Sequence, residues 1–180
     1  EHLDCYQDFS DLKNAFYQFA NNIPFYGFML ANIDSSNVLE IINNSSNSIP
    51  VLQSSNMSVG VNLLFKLVQQ AASTLQDDEY DIEIAETHHK HKIDAPSGTA
   101  IALGEFVAKG RNSDFNKKKI YDRTNLSSKR KPGDIGFAIT RGGEVAGEHT
   151  VSLIGENDRV DLTHKSFNRS IFVRGAIEAA

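Results

Sequence analysis

Between Glu83 and Ala100 the chain reads Glu-Ile-Ala-Glu-Thr-His-His-Lys-His-Lys-Ile-Asp-Ala-Pro-Ser-Gly-Thr-Ala, with His88, His89, Lys90, His91 and Lys92 in succession. A histidine can give or take a proton near neutral pH. A lysine can neutralise a carboxylate or donate a proton itself. Just beyond them, Pro96-Ser97-Gly98-Thr99 reads as a helix start, with Ser97 as the cap. The first turn of such a helix offers free backbone N–H groups and the positive end of the helix dipole. Gly98 lets a ligand approach the backbone closely. Together these residues make a site for an anion, most simply a carboxylate or phosphate. Each part alone has a plainer reading: a surface histidine, a structural cap, a solvated lysine face. No metal site is expected from His88, His89 and His91. Neighbouring side chains on an extended segment point to opposite sides, and no cysteine completes a ligand set.

These residues need a frame. Tyr80 to Glu86 alternates apolar and acidic positions, as a strand with one wet face does. It feeds a polar loop over 88–96. The helix capped by Ser97 runs through Ile101, Leu103, Phe106 and Val107 to a stop at Gly110. Upstream, Val61, Leu64, Leu67, Val68 and Ala71 share one helical face, and Ile49 to Ser54 reads as a short strand before it. Residues 111–133 are basic and polar, a mobile connection by composition. Ile135–Arg141, Glu144–Ile154 and Arg159–Ser166 are separated by glycine-bearing turns and read as an antiparallel meander. Asn168 to Ala180 reads as a helix. The order predicts an α+β domain with a mixed, largely antiparallel sheet and helices on one face. At the start, a helix capped by Ser10 carries Leu12, Ala15, Phe16 and Phe19 and ends at Pro24. A buried strand over Tyr26–Ile33 follows, then an Asn- and Ser-rich junction to Ser48 with one or two helical turns.

The whole is 180 residues, 40% hydrophobic, with net charge −5. That is room for one compact domain or a domain with an appendage. Mixed charge argues against a nucleic-acid partner or an anionic membrane surface. The single cysteine, Cys5, rules out an internal disulfide framework and fits a reducing cytoplasm. No apolar run approaches the roughly 20 residues that span a bilayer. Glu1-His2-Leu3-Asp4 has neither an initiator Met nor the basic start of a signal peptide, as expected of a piece of something longer.

The Glu83–Ala100 segment resembles the signature of dihydrodipicolinate reductases. The resemblance extends from about residue 48 to 180, through Ser55-Asn56-Met57-Ser58-Val59-Gly60-Val61-Asn62, Gly136-Phe137, Arg141-Gly142-Gly143, Gly147-Glu148-His149-Thr150, Thr163-His164-Lys165 and Arg169. It implies an oxidoreductase in which NADPH or NADH gives a hydride to a cyclic imine derived from 4-hydroxy-tetrahydrodipicolinate, in lysine and diaminopimelate synthesis. It implies His88 as the catalytic acid/base, Lys92 as the second proton donor, and His89, Gly98 and Thr99 as substrate-binding residues. Ser54, Ser55, Asn56 and Met57 correspond to the loop that touches the nicotinamide, although small apolar residues or proline are usual where Ser54 and Ser55 stand. A homotetramer built from the sheet domain is implied as well.

The chain departs from that family at its start. A glycine-rich phosphate loop and a later Gly-Thr-Thr-Gly turn, marks of the family's Rossmann domain, are absent. Residues 1–42 instead resemble a fragment of UDP-N-acetylmuramate–alanine ligase, a Mur ligase, through Glu1-His2-Leu3-Asp4, Asp8-Phe9 and Ile23-Pro24-Phe25-Tyr26-Gly27. In that family the residue at the position of His2 binds magnesium; without the ligase's Gly-Lys-Thr phosphate loop, His2 is not expected to form a metal site. The expected division is residues 1–42, a junction over 43–57 that keeps the end of the nucleotide domain, and the reductase domain over 58–180. Two alternatives stand beside a reductase: a non-catalytic fusion or decay product that still folds and oligomerises, and a Mur-type ATP-dependent ligase.

Overall fold

The computed structural model describes residues 5–24, 27, 29, 31, 35–124 and 126–179. It divides into two units, residues 1–53 with 178–180, and residues 54–177.

The smaller unit holds two helices, α1 (Phe9–Asn21) and α2 (Ser36–Ser45). Asp8, not Ser10, caps α1: its side chain accepts from the Asp11 backbone N–H at 2.8 Å. An ionised carboxylate at that position also meets the positive end of the helix dipole. Lys13 of α1 pairs with Glu40 of α2. The Asn- and Ser-rich junction is a ten-residue helix rather than a loop with a turn or two. Val38, Leu39, Ile41 and Ile42 give it an apolar stripe that outweighs the poor helix propensity of its asparagines. Most of the strand expected over Tyr26–Ile33, and the residue His2, lie outside the described residues.

In the larger unit, Ser58 caps α3 (Val59–Thr74) by accepting from Val61 N–H at 3.3 Å. Residues 49–54, expected as a short strand, form none; the backbone is irregular up to the cap. Strand β1 (Asp81–His88) follows, then α4 (Gly98–Gly110). The basic connection is not a loose one. It contains α5 (Phe115–Lys118) and β2 (Lys119–Ile120), and Arg123 and Arg130 both pair with Glu83. Half-buried Arg111 donates to the carbonyls of Leu75 and Tyr80, both at 2.7 Å. Composition shows the charges but not the acceptors that anchor them.

The rest of the sheet is β3 (Ile135–Arg141), β4 (Gly147–Ile154) and β5 (Arg159–Ser166), and α6 (Ser170–Ala179) ends the chain. The strand order is β2-β3-β1-β4-β5. β1 runs parallel to β3 and antiparallel to β4, so the expected meander is interrupted: only β4 and β5 form a hairpin. The segment 142–146 crosses the end of β1, and its backbone bonds go there, Gly142 N–H to His88 O at 3.0 Å and Lys90 N–H to Gly143 O at 3.1 Å. A step over one intervening strand is roughly 10 Å, within reach of such a segment. Mixed pairing, with α3 and α4 over one face, agrees with the expected α+β class.

Side-chain alternation explains the layering. Ile82 and Ile84 of β1 lie in register with Ile135 and Phe137 of β3 and with Leu153 and Val151 of β4. They meet Val61, Leu64, Phe65, Val68 and Ala72 of α3, and Leu103 and Val107 of α4. Each such fully buried aliphatic side chain contributes about 1.5–3 kcal/mol. Two residues further on, the same face turns polar. Glu86 lies in register with His149, which lies in register with His164. The apolar half of this face holds the domain together, and the polar half lies beneath the N-termini of α3 and α4.

Candidate functional site

β1 extends two residues beyond the strand expected from sequence. His88 is therefore its last residue rather than part of the loop, and it shares the buried face with Glu86. Glu86 is only 2% exposed. Its Oε1 accepts from the Ser97 backbone N–H at 2.8 Å and from Arg141 Nη2 at 2.9 Å. Its Oε2 lies 2.8 Å from His88 Nδ1 and 3.8 Å from His149 Nε2. The two atoms are close, but the His88 ring sits off the ideal hydrogen-bond line. Burial alone would push the Glu86 carboxyl up. The contacts from His88, Ser97 and Arg141 outweigh it and hold the group ionised, well below the usual carboxylate range.

His149 is buried as well, and burial pushes its pKa down to about 4, with His88 adding to the effect and Glu86 opposing it. It is neutral at pH 7. Its Nε2 lies 3.2 Å from Ser97 Oγ, the same oxygen that caps α4 by accepting from Ala100 N–H at 3.2 Å. The predicted cap is thus correct, and it is also a member of the buried polar network.

At the mouth of α4, Gly98 faces open space: a Cβ placed there would meet nothing within 4 Å. Thr99 is buried, and its Oγ1 accepts from Asn56 Nδ2 at 3.0 Å. Asn56 is itself fixed: Ser58 N–H donates to its Oδ1 at 2.8 Å, while Ser54 Oγ and Asn62 Nδ2 both donate to its carbonyl at 2.7 Å. Met57 lies under α6, where Gly175 leaves no room for a side chain against the Met57 carbonyl; Ser55 is exposed. Lys92 Nζ lies 2.7 Å from Asp94 Oδ1, and the Asp94 carbonyl takes Arg141 Nη2 at 2.7 Å. His89 Nε2 lies 3.0 Å from Arg169 Nη2, and its pKa is lowered, first by desolvation and then by the Arg169 charge.

The structure therefore joins His88, Gly98 and Thr99 on one frame through Glu86 and Ser97. Asn56 and Ser54 are tied to that frame. His89 and Lys92 lie on the loop between, each against a partner of its own. Sequence reasoning gave no role to Glu86, Arg141, His149 or Arg169. Had the strand been carried on to His88, its alternation would have placed Glu86 and His88 on one face. The other three come from β3, β4 and the turn into α6, and no spacing in one sequence brings them to β1.

The donor set also differs from the one weighed in the sequence. Glu86, His88 and His149 present ligand-type atoms within 4.8 Å of one another, whereas His89 and His91 lie on the exposed loop. Arg141 already sits on the Glu86 carboxylate and puts a fixed positive charge beside it. The loop over Ser54–Met57, expected from the resemblance to face a nicotinamide, is held by its own hydrogen bonds through Ser54 and Asn56. Among the described residues no glycine-rich turn forms a pyrophosphate cradle, so they do not fit the whole of a nicotinamide dinucleotide. No helix among the described residues is long and apolar enough to cross a membrane.

Comparison with known proteins gives a family. Residues 60–180 match the family model described as dihydrodipicolinate reductase, C-terminus. A 4-hydroxy-tetrahydrodipicolinate reductase of Allorhizobium ampelinum is 55% identical over 130 residues, covering 72% of this chain and 48% of the relative. One of Thiobacillus denitrificans is 51% identical over 132 residues, covering 73% and 49%. The chain thus spans about half the length of the relatives it matches. Among solved structures, a dipicolinate-bound dihydrodipicolinate reductase from Paenisporosarcina sp. TG-14 shares the fold, with TM-score 0.57 and 23% identity over 92% of this chain and 63% of that one. On the strength of the residues 60–180 match, the chain belongs to the dihydrodipicolinate reductase family, of which it carries the C-terminal part.

Proposed function

We propose that residues 54–177 are the substrate half of a 4-hydroxy-tetrahydrodipicolinate reductase, binding a small cyclic dicarboxylate at the start of α4. The observation that carries this is the open face of Gly98 beside the Thr99 hydroxyl, at a helix N-terminus tied through Ser97 and Glu86 to His88. One substrate carboxylate sits on the backbone N–H groups of Gly98 and Thr99, where the helix dipole favours negative charge. His89, backed by Arg169, contacts the substrate. A pyridine nucleotide, NADPH or NADH, would supply the hydride, and Ser54–Met57 would be the residues of this chain facing it. His88 and Lys92 are the proton donors, and both sit within the same loop-and-strand end. Positioning is the greater part of such a reaction, because hydride transfer needs donor and acceptor carbons in contact. The 180 residues lack the phosphate cradle, so this chain alone is expected to show little or no turnover.

A homo-oligomer built on the open face of the sheet goes with this reading. Ala85, Ala138, Thr150 and Thr163 keep that face low and polar. A second reading rests on the resemblance of residues 1–42 to a Mur-ligase fragment, which would here be joined to a reductase domain that binds but does not turn over.

The test is calorimetric titration with pyridine-2,6-dicarboxylate, repeated on Lys92→Ala and Thr99→Ala. Saturable binding that both variants weaken by tenfold or more supports the substrate site. No binding by the parent chain overturns it. Measurable oxidation of NADPH by this chain with substrate would overturn the expected lack of turnover and with it the non-catalytic reading.

A further inference from the structure

We propose that Glu86 is a positioning residue that fixes the tautomer of His88, with the ring proton on Nδ1 and Nε2 left as the nitrogen that exchanges protons with a bound ligand. The inference deepens the reading of His88 as acid/base and rests on it.

A carboxylate is an acceptor only. Oε1 of Glu86 already takes two donors, the Ser97 N–H and Arg141 Nη2. Oε2 faces His88 Nδ1 at 2.8 Å. Held ionised by these contacts, Glu86 has no proton to give, so the proton between the two groups belongs to Nδ1. Arg141 on β3 and Lys92 in the loop are donors only. His149 on β4 stands edge-on, with ring centroids 5.0 Å apart, and its Nε2 is taken up by Ser97 Oγ. His89, next along the chain, turns its Nε2 to Arg169. On the far side of the ring, Gly147 is the neighbour of Nε2: a Cβ there would lie 3.1 Å from it. The missing side chain keeps that nitrogen clear. Such a carboxylate–histidine pair sets both the ring orientation and the identity of the reactive nitrogen, and neither follows from the presence of a histidine alone.

The substitution Glu86→Gln reverses the arrangement without changing its shape. The amide carbonyl stays with its two strong donors, Ser97 N–H and Arg141. The NH2 group then faces His88, and a donor at that place requires Nδ1 to be bare. The proton moves to Nε2.

The experiment is two-dimensional 15N–1H spectroscopy of the histidine ring nitrogens in the full chain at neutral pH, on parent and Glu86→Gln. The His88 signals are assigned by their loss in His88→Asn. The expected result is the Nδ1–H form in the parent and the Nε2–H form in Glu86→Gln. An Nε2–H form in the parent overturns the proposal, and so does an Nδ1–H form that persists in Glu86→Gln. The parent spectrum decides even if the variant does not fold. Pyridine-2,6-dicarboxylate is titrated separately: if it fails to bind while the tautomer is as expected, the substrate reading falls and the role of Glu86 in setting the ring does not.

Discussion

Asn56 and Thr99 stand 43 positions apart and share a 3.0 Å hydrogen bond that ties the loop before α3 to the first turn of α4. Asn56 can only donate through Nδ2, so Thr99 Oγ1 accepts. With that lone pair engaged, the Thr99 hydroxyl proton is free to point at an incoming carboxylate. Asn56→Asp inverts this. The introduced carboxylate still accepts from Ser58 N–H and adds negative charge at the start of α3, where the dipole favours it. Its other oxygen, however, draws the Thr99 proton to itself, and its charge repels an anionic ligand. The expected outcome is a melting temperature within a few degrees of the parent and pyridine-2,6-dicarboxylate affinity reduced more than by Asn56→Ala. Equal losses in the two variants would show that hydroxyl orientation contributes nothing.

Acid should weaken this fold in two windows. His149 has its folded pKa lowered from 6.5 to about 4. The unfolded chain therefore binds the extra proton between those values, and stability falls as pH drops from 6.5 towards 4. The whole effect is about 3 kcal/mol. Glu86 is lowered from 4.5, so its contribution is present above that pH and declines further into acid. Urea denaturation at intervals from pH 7.5 to 4 should show the first slope, and His149→Gln should flatten it above pH 4.5. An unchanged slope in His149→Gln would place the acid sensitivity elsewhere.

The capped helix and the acidic-apolar strand were legible because each is a local pattern: Ser97 three residues before Ala100, or Ile82, Ile84 and Glu86 on one face. The sheet order was not. β3, β4 and β5 follow one another with turn residues between them, as a meander would. What places β1 between β3 and β4 is the complementarity of Ile82 and Ile84 to Ile135, Phe137, Val151 and Leu153, which is a property of packing. For the same reason His88 could be singled out while Arg141 and His149, its neighbours across strands, could not.

Arg141 neutralises a buried carboxylate, and that dictates how its loss should behave. Arg141→Leu leaves Glu86 with the Ser97 N–H and His88 but without a fixed positive charge. Breaking one side of a buried ion pair costs about 3–5 kcal/mol, whereas replacing both sides costs much less. Thermal or urea unfolding of Arg141→Leu, Glu86→Leu and the double variant should therefore be strongly non-additive, with the double variant more stable than either single one. Additive losses would mean that the two groups do not act as a pair.

Two glycines of α4 separate binding from folding. A Cβ on Gly104 would lie 2.5 Å from Phe115 Cε2 and 3.0 Å from Phe137 Cζ. Gly104→Ala thus overpacks the contact between α4 and α5 and should cost about 1–3 kcal/mol. It is remote from the helix start, so the molecules that remain folded should bind a dicarboxylate as the parent does. Gly98 is the opposite case. A methyl group there meets no protein atom within 4 Å, and alanine is the better helix former, so stability should hold or rise slightly. That methyl group stands where a carboxylate must approach the backbone N–H groups. Calorimetry on Gly98→Ala should show at least a tenfold loss of pyridine-2,6-dicarboxylate affinity with no loss in melting temperature. Undiminished binding would mean that the ligand does not sit on the first turn of α4.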